Sequence, residues 1–146
     1  MKAKVLQRSR ITRYDGSFSS LSAFLLAPVH TECDVETADV RAEGVFLNTE
    51  EGLSLTYKEE ESGVSVKVEK RDDTLTVTRG GAVLSFRLGA TTSFVYNTLY
   101  GTLPMEAYTE EITLDEKGNA RLLTLIYTAV FGGMAQKNEM RFKITL

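Results

Sequence analysis

From about residue 41 to residue 146 the chain alternates apolar and polar residues in short runs, each closed by Gly, Asn or Asp. Leu53, Leu55 and Tyr57 alternate with Ser54, Thr56 and Lys58, and Val64, Val66 and Val68 with Ser65, Lys67 and Glu69. A period of two sends alternate side chains to opposite faces, so each run reads as a half-buried strand. The pattern predicts strands at 2–13, 33–47, 53–60, 64–70, 74–79, 82–88, 92–99, 104–114, 120–131 and 139–146. After residue 47 the linkers are too short to hold a crossover helix, which needs a dozen or more residues, so successive strands are antiparallel neighbours. The result is a meander. Gly44 lies inside the second predicted strand, where a residue without Cβ often marks a bulge or bend.

A meander of eight to ten short strands must dispose of its two edges, and closing into an antiparallel up-and-down barrel removes them. A two-sheet sandwich is the alternative, but it needs long Greek-key connections, and only 17–31 could supply one. Within that segment Phe18, Leu21 and Leu25 recur near helical spacing after a possible Ser cap, and Pro28 would end such a helix. A short helix near 17–27 is therefore expected, with a strand at 22–29 as its competitor. One strand breaks the alternation: Leu122, Leu123, Leu125, Ile126, Tyr127 and Val130 make both faces of 120–131 apolar. Both faces must then be covered. The barrel interior covers one, and either residues 18–29 or a second copy of the chain covers the other.

At 146 residues the chain reads as one domain, 1–146, large enough to bury a core without disulfides or metals. Cys33 is its single cysteine, expected to be a buried or inert thiol, so no intrachain disulfide can form. No apolar run approaches the roughly 20 residues of a spanning helix, and the basic N-terminus is not followed by a signal-peptide core. Cytoplasmic placement without membrane insertion is the expectation. Net charge is −3, but Lys2, Lys4, Arg8, Arg10 and Arg13 precede any acidic residue. The acidic remainder would repel phosphate, which argues against nucleic acid. Instead, Lys4, Arg8 and Arg10 are expected to complement Glu32, Asp34 and Glu36 across neighbouring strands.

The stretch Tyr96-Asn97-Thr98-Leu99-Tyr100-Gly101 resembles the Tyr-x-Thr-x-Tyr-Gly signature of the YwiB-like proteins, small bacterial calycin-like barrels of unknown function. Glu43-Gly44, Leu55-Thr56-Tyr57-Lys58-Glu59, Thr78-Arg79-Gly80-Gly81 and the ending Asn138-Glu139-Met140-Arg141-Phe142-Lys143-Ile144 match in order. Residues 18–31 look like an insertion. The resemblance implies a lipocalin-like closed barrel whose interior sometimes holds an apolar ligand. It carries over no catalytic residue.

Four side chains are candidates for contact with such a ligand: Tyr57, Arg87, Tyr96 and Tyr100. Tyr96 and Tyr100 could offer phenols at the barrel mouth, or they serve packing and the turn at Gly101. Arg87 shares a face with Val83 and Ser85, opposite the more apolar Ala82, Leu84, Phe86 and Leu88. Inward, it would anchor a carboxylate or phosphate; the polarity of its face favours the outward reading. His30 and Cys33 lack the further His or Cys that zinc would need, and no nucleophile elbow or phosphate loop occurs. The sequence therefore points to no catalytic residue, metal or cofactor. Non-catalytic binding of a small apolar or amphipathic ligand leads, and a structural or interaction module acting as a homodimer is the alternative.

Overall fold

A computed structural model of the chain describes residues 1–99 and 101–146, with the backbone alone for 96–98. Its elements are β1 (Lys2–Tyr14), α1 (Leu21–Leu25), β2 (Glu32–Thr49), β3 (Gly52–Lys58), β4 (Ser65–Arg71) and β5 (Thr74–Arg79). There follow β6 (Ala82–Arg87), β7 (Thr91–Thr98), β8 (Gly101–Lys117), β9 (Ala120–Phe131) and β10 (Met134–Thr145). All ten strands belong to one sheet, ordered β6-β5-β4-β3-β2-β1-β10-β9-β8-β7. Every ladder is antiparallel. This is the expected all-β meander, curled into a nearly closed barrel.

Closure differs from the expectation in one respect. β1 pairs with β10 over Lys4–Thr145 to Arg13–Gln136, and the gap falls mid-chain, between β6 and β7. Among the described residues no ladder joins those two strands. Gly89, at φ 71°, turns the chain so that residues 88–90 bond to Thr109 of β8 and do not form a hairpin. The seam is held by Thr92 Oγ1, donating to the Ser85 carbonyl at 2.6 Å, and by the Phe86 and Phe94 rings, 5.7 Å apart.

Inside, the cross-strand registers bring Val5, Phe142 and Ile144 together with Phe46, Leu53, Leu55, Val68, Leu75, Leu123 and Leu125, all buried. Gly44 is a required member of this wall. It sits in unbroken register between Ala3 and Tyr57, and a Cβ there would lie 2.3 Å from the Thr56 carbonyl oxygen. No bulge occurs at Gly44; close backbone approach is the reason for glycine. The irregularities fall elsewhere, at Arg13/Tyr14 and around Glu110.

The doubly apolar strand is covered by the chain's own residues. Leu123, Leu125, Tyr127 and Ala129 face the core, while the outer row runs through Leu122, Thr124, Ile126, Thr128 and Val130. Ser20 caps α1 by accepting from the Ala23 N–H at 3.1 Å, and buried Leu21 and Phe24 face inward from it. The Phe18 N–H donates to the Gly133 carbonyl at 2.8 Å, pinning this segment beside the Val130 end of β9. Phe24 gathers Tyr14, Phe18 and His30 around it. At the Leu122 end, register places Asp115 and Lys143 on either side of Leu122, and Glu111 and Glu139 beside Ile126. The apolar stems of such charged side chains explain why Leu122 and Ile126 are half-buried.

Two local expectations are corrected. Cys33 is exposed, because the upper part of β2 has a neighbour on one side only. The basic strand does lie beside the acidic one, but with other partners: Arg13 binds Asp34 at 2.9 Å and Glu36 at 2.8 Å, Arg8 faces Asp39, and Arg10 turns to Glu139. Antiparallel register sets these pairs, with Arg10 opposite Thr37 and Lys4 opposite Glu43.

Candidate functional site

Where the lower barrel is packed with Leu, Val and Phe, the upper interior is not filled. Smaller or polar side chains, Ser9, Gln136 and Asn138, occupy inward positions of β1 and β10 there. A cavity of about 560 Å³ results, of the size that takes a small organic molecule. Its walls are apolar for the most part: Val77 and Leu84 on one side, Phe86 and Phe94 across the seam, Met105, Tyr127 and Phe131 opposite, and Ile11, Met134 and Met140 closing the ring. Phe86 packs on Tyr127 with ring centres 4.5 Å apart. Outside the barrel a second groove of about 410 Å³ runs between Phe18–Leu21 and β7–β8, and Phe94 and Met105 border both spaces.

Polar groups reach the cavity along two routes. Buried Tyr57 donates its hydroxyl to Gln7 Oε1 at 2.5 Å, and Gln7 Nε2 donates to Ser9 Oγ at 3.3 Å, carrying a hydrogen-bonded chain from the core to the wall. At the rim Arg79 grips Glu59 through two hydrogen bonds of 2.8 and 3.1 Å, and Ser62 donates to the same carboxylate at 2.7 Å. Arg13, also on the wall, is held by Asp34 and Glu36. The cations of the mouth are thus already paired with carboxylates.

Titration follows from these contacts. Hydrogen bonds from Arg79 hold the Glu59 carboxyl below its usual range, against a smaller upward push from burial. Burial, with the Glu59 charge behind it, raises the Tyr57 phenol. Glu36 and Asp34 raise Arg13, and burial raises Tyr14. Local desolvation, then the Asp15 charge, raises the Cys33 thiol. Each of these groups is pushed away from neutrality, the reverse of what a general acid or base needs. Among the described residues no three His, Cys, Asp or Glu side chains converge to hold a metal, and His30 is committed to the Phe24 carbonyl at 2.7 Å.

The residues proposed from sequence are scattered. Arg87 stands on the outer face at the opposite end of the barrel, 3.6 Å from Asp73, and lines no part of the cavity. Its outward direction follows the polarity of β6, on which Phe86 is buried and Val83 exposed. Tyr57 is buried beneath the cavity with its hydroxyl engaged. The Tyr96 side chain and Tyr100 lie outside the described residues. Asn138, Gln136 and Met134 were missed because 132–138 reads as a linker. Only Gly132 and Gly133 turn; 134–138 is in fact the first half of β10, whose inward face carries Gln136 and Asn138 and so breaks the apolar alternation.

In fold, the chain is similar to the crystal structure of the ywiB protein from Bacillus subtilis. The TM-score is 0.54 at 15% identity, over 97% of this chain and 91% of that one. The resemblance to YwiB-like barrels is borne out as a likeness of fold. No curated protein matches the chain. A family model described as "Domain of unknown function (DUF1934)" matches residues 28–142.

Proposed function

This chain belongs to the DUF1934 family, whose function is unknown, and on that premise we propose that the barrel binds a small apolar or amphipathic molecule without catalysing a reaction. One observation carries the reading: a cavity of about 560 Å³ at the barrel mouth, apolar over most of its wall, with a few polar groups at fixed places. Glu59, Tyr57 and Arg13 are held by hydrogen bonds that serve structure, which supports binding over catalysis. A lone exposed thiol suits a reducing compartment, so we read the site as cytoplasmic. Among the described residues no helix is long and apolar enough to cross a membrane.

Native mass spectrometry of gently purified protein, joined to a thermal screen of fatty acids and aromatic compounds, tests the proposal. Ligand at a hundred times its Kd stabilises a fold by about 2.7 kcal/mol. For a chain of this length that is a rise of roughly 5–10 °C in Tm. A bare mass together with unmoved melting across the screen would sink the proposal.

A homodimer is the second reading. It rests on Leu25, Leu26 and Val29, large apolar side chains exposed at the end of α1 and just after it. Light scattering at high concentration separates the two: a monodisperse monomer removes the dimer.

A further inference from the structure

Asn138 is 5% exposed and lines the cavity, yet its Nδ2 has no hydrogen-bond partner among the described residues. Register places it in a transverse row of the inner wall, next to Ile11 on β1 and Tyr127 on β9, with Thr109 beyond Tyr127 on β8. Thr109 Oγ1 is also buried without a partner, but Thr109 does not reach the cavity. Asn138 is therefore the member of this row that a bound molecule can satisfy, by a turn of the carboxamide that brings the now enclosed Nδ2 to the cavity. A buried donor left unpaired costs free energy that a ligand acceptor recovers on binding. Gln136 differs in being only half-buried, within reach of water, and Ser9 Oγ already accepts from Gln7.

Charge narrows the acceptor. Of the three arginines at the wall, Arg13 and Arg79 are hydrogen-bonded to carboxylates, and Arg10 lies in the outer row, 3.9 Å from Glu139. An anionic head group would meet no free cation in this wall and would have to leave water beside acidic neighbours.

We infer that the cavity takes a neutral carbonyl compound, a ketone, amide or ester, whose oxygen accepts from the Asn138 carboxamide while its apolar body lies among Phe86, Phe94, Met105 and Met140. The inference rests on the binding role proposed above and specifies its ligand class. Three probes of one shape test it: 1-tetralone, tetralin and tetralin-1-carboxylate, titrated into the whole protein by calorimetry and by NMR of the side-chain amides. The expected result is 1-tetralone binding on the order of tenfold tighter than tetralin, the carboxylate no tighter than tetralin, and the Asn138 side-chain amide signals moving with the ketone alone. In Asn138→Leu the ketone's advantage disappears; if that variant does not fold, the amide signals of the unaltered protein decide. Equal binding of ketone and hydrocarbon, or unmoved Asn138 signals, overturns the carbonyl anchor and leaves the cavity reading standing. Tightest binding by the carboxylate overturns the neutral class. Failure of all three to bind overturns this inference, and the binding role falls with it only when the screen of fatty acids and aromatic compounds is silent as well.

Discussion

Glu59 shows how a single side chain ties the rim to pH. Its carboxyl is depressed in the fold chiefly by the Arg79 hydrogen bonds, so its stabilisation is present above the unfolded carboxylate range and is lost as pH falls through the lowered folded value. Glu59→Gln should cost about 1–2 kcal/mol at neutral pH, a modest figure because the Arg79 guanidinium is half in water. Melting temperatures of the two proteins should converge as pH falls from about 5 through the lowered folded value; a gap that stays constant on acidification would remove the charge argument. Tyr57→Phe tests the inner route. It strands Gln7 Oε1 and should lower stability by about 1–3 kcal/mol with no acid-dependent component. Gly44→Ala should be worse than either, at about 3 kcal/mol or more by denaturant unfolding, because the new Cβ meets a backbone oxygen that cannot turn aside. Of these three residues two announced themselves in the sequence, Gly44 as a glycine inside a strand and Tyr57 as a candidate ligand contact, and the fold uses each for another reason, close backbone approach at Gly44 and the bond to Gln7 at Tyr57. The Tyr57–Gln7 bond joins residues 50 positions apart, a distance over which composition and period say nothing.

Strands were legible where one face is apolar and the other polar. Thr74–Arg79 matches its sequence-based bounds, Ala120–Phe131 does so although both its faces are apolar, and the helix appears where Ser20 and Pro28 bracket it. The misreadings share a cause: a strand whose inward face is polar, as in the first half of β10, carries no period-two apolar signal. The same blindness hid the cavity, since a void is marked by the side chains that do not fill it. β2 shows a second limit. β3 pairs only with residues 44–49 of it, so its upper part, from Glu32, is an edge, and a run of Asp and Glu there opposes pairing with another chain. Replacing Asp34 and Glu36 together by Thr should therefore promote self-association, read as a rise in light-scattering mass with concentration. An unchanged monomer would show that the acidic residues serve Arg13 alone.

For the whole molecule, the gap between β6 and β7 and the β1–β10 ladder together mean that the covalent chain and the hydrogen-bonded sheet are interrupted at different places. A circular permutant should exploit this. Joining Leu146 to Met1 through a linker of about five residues, and opening the chain between Gly89 and Ala90, cuts no ladder. It should fold cooperatively with a loss of about 1–3 kcal/mol. Non-cooperative melting would show that the turn at 88–90 is needed to hold the seam. The β1–β10 ladder has a further consequence, in time and not in space. Translation adds about 5–20 residues per second, so β1 waits on the order of ten seconds before its second neighbour has been made. Throughout that interval one side of a 13-residue strand has no partner. The Lys2, Lys4, Arg8, Arg10 and Arg13 charges along it then act as gatekeepers for a nascent chain, keeping it from stray partners until the barrel can close.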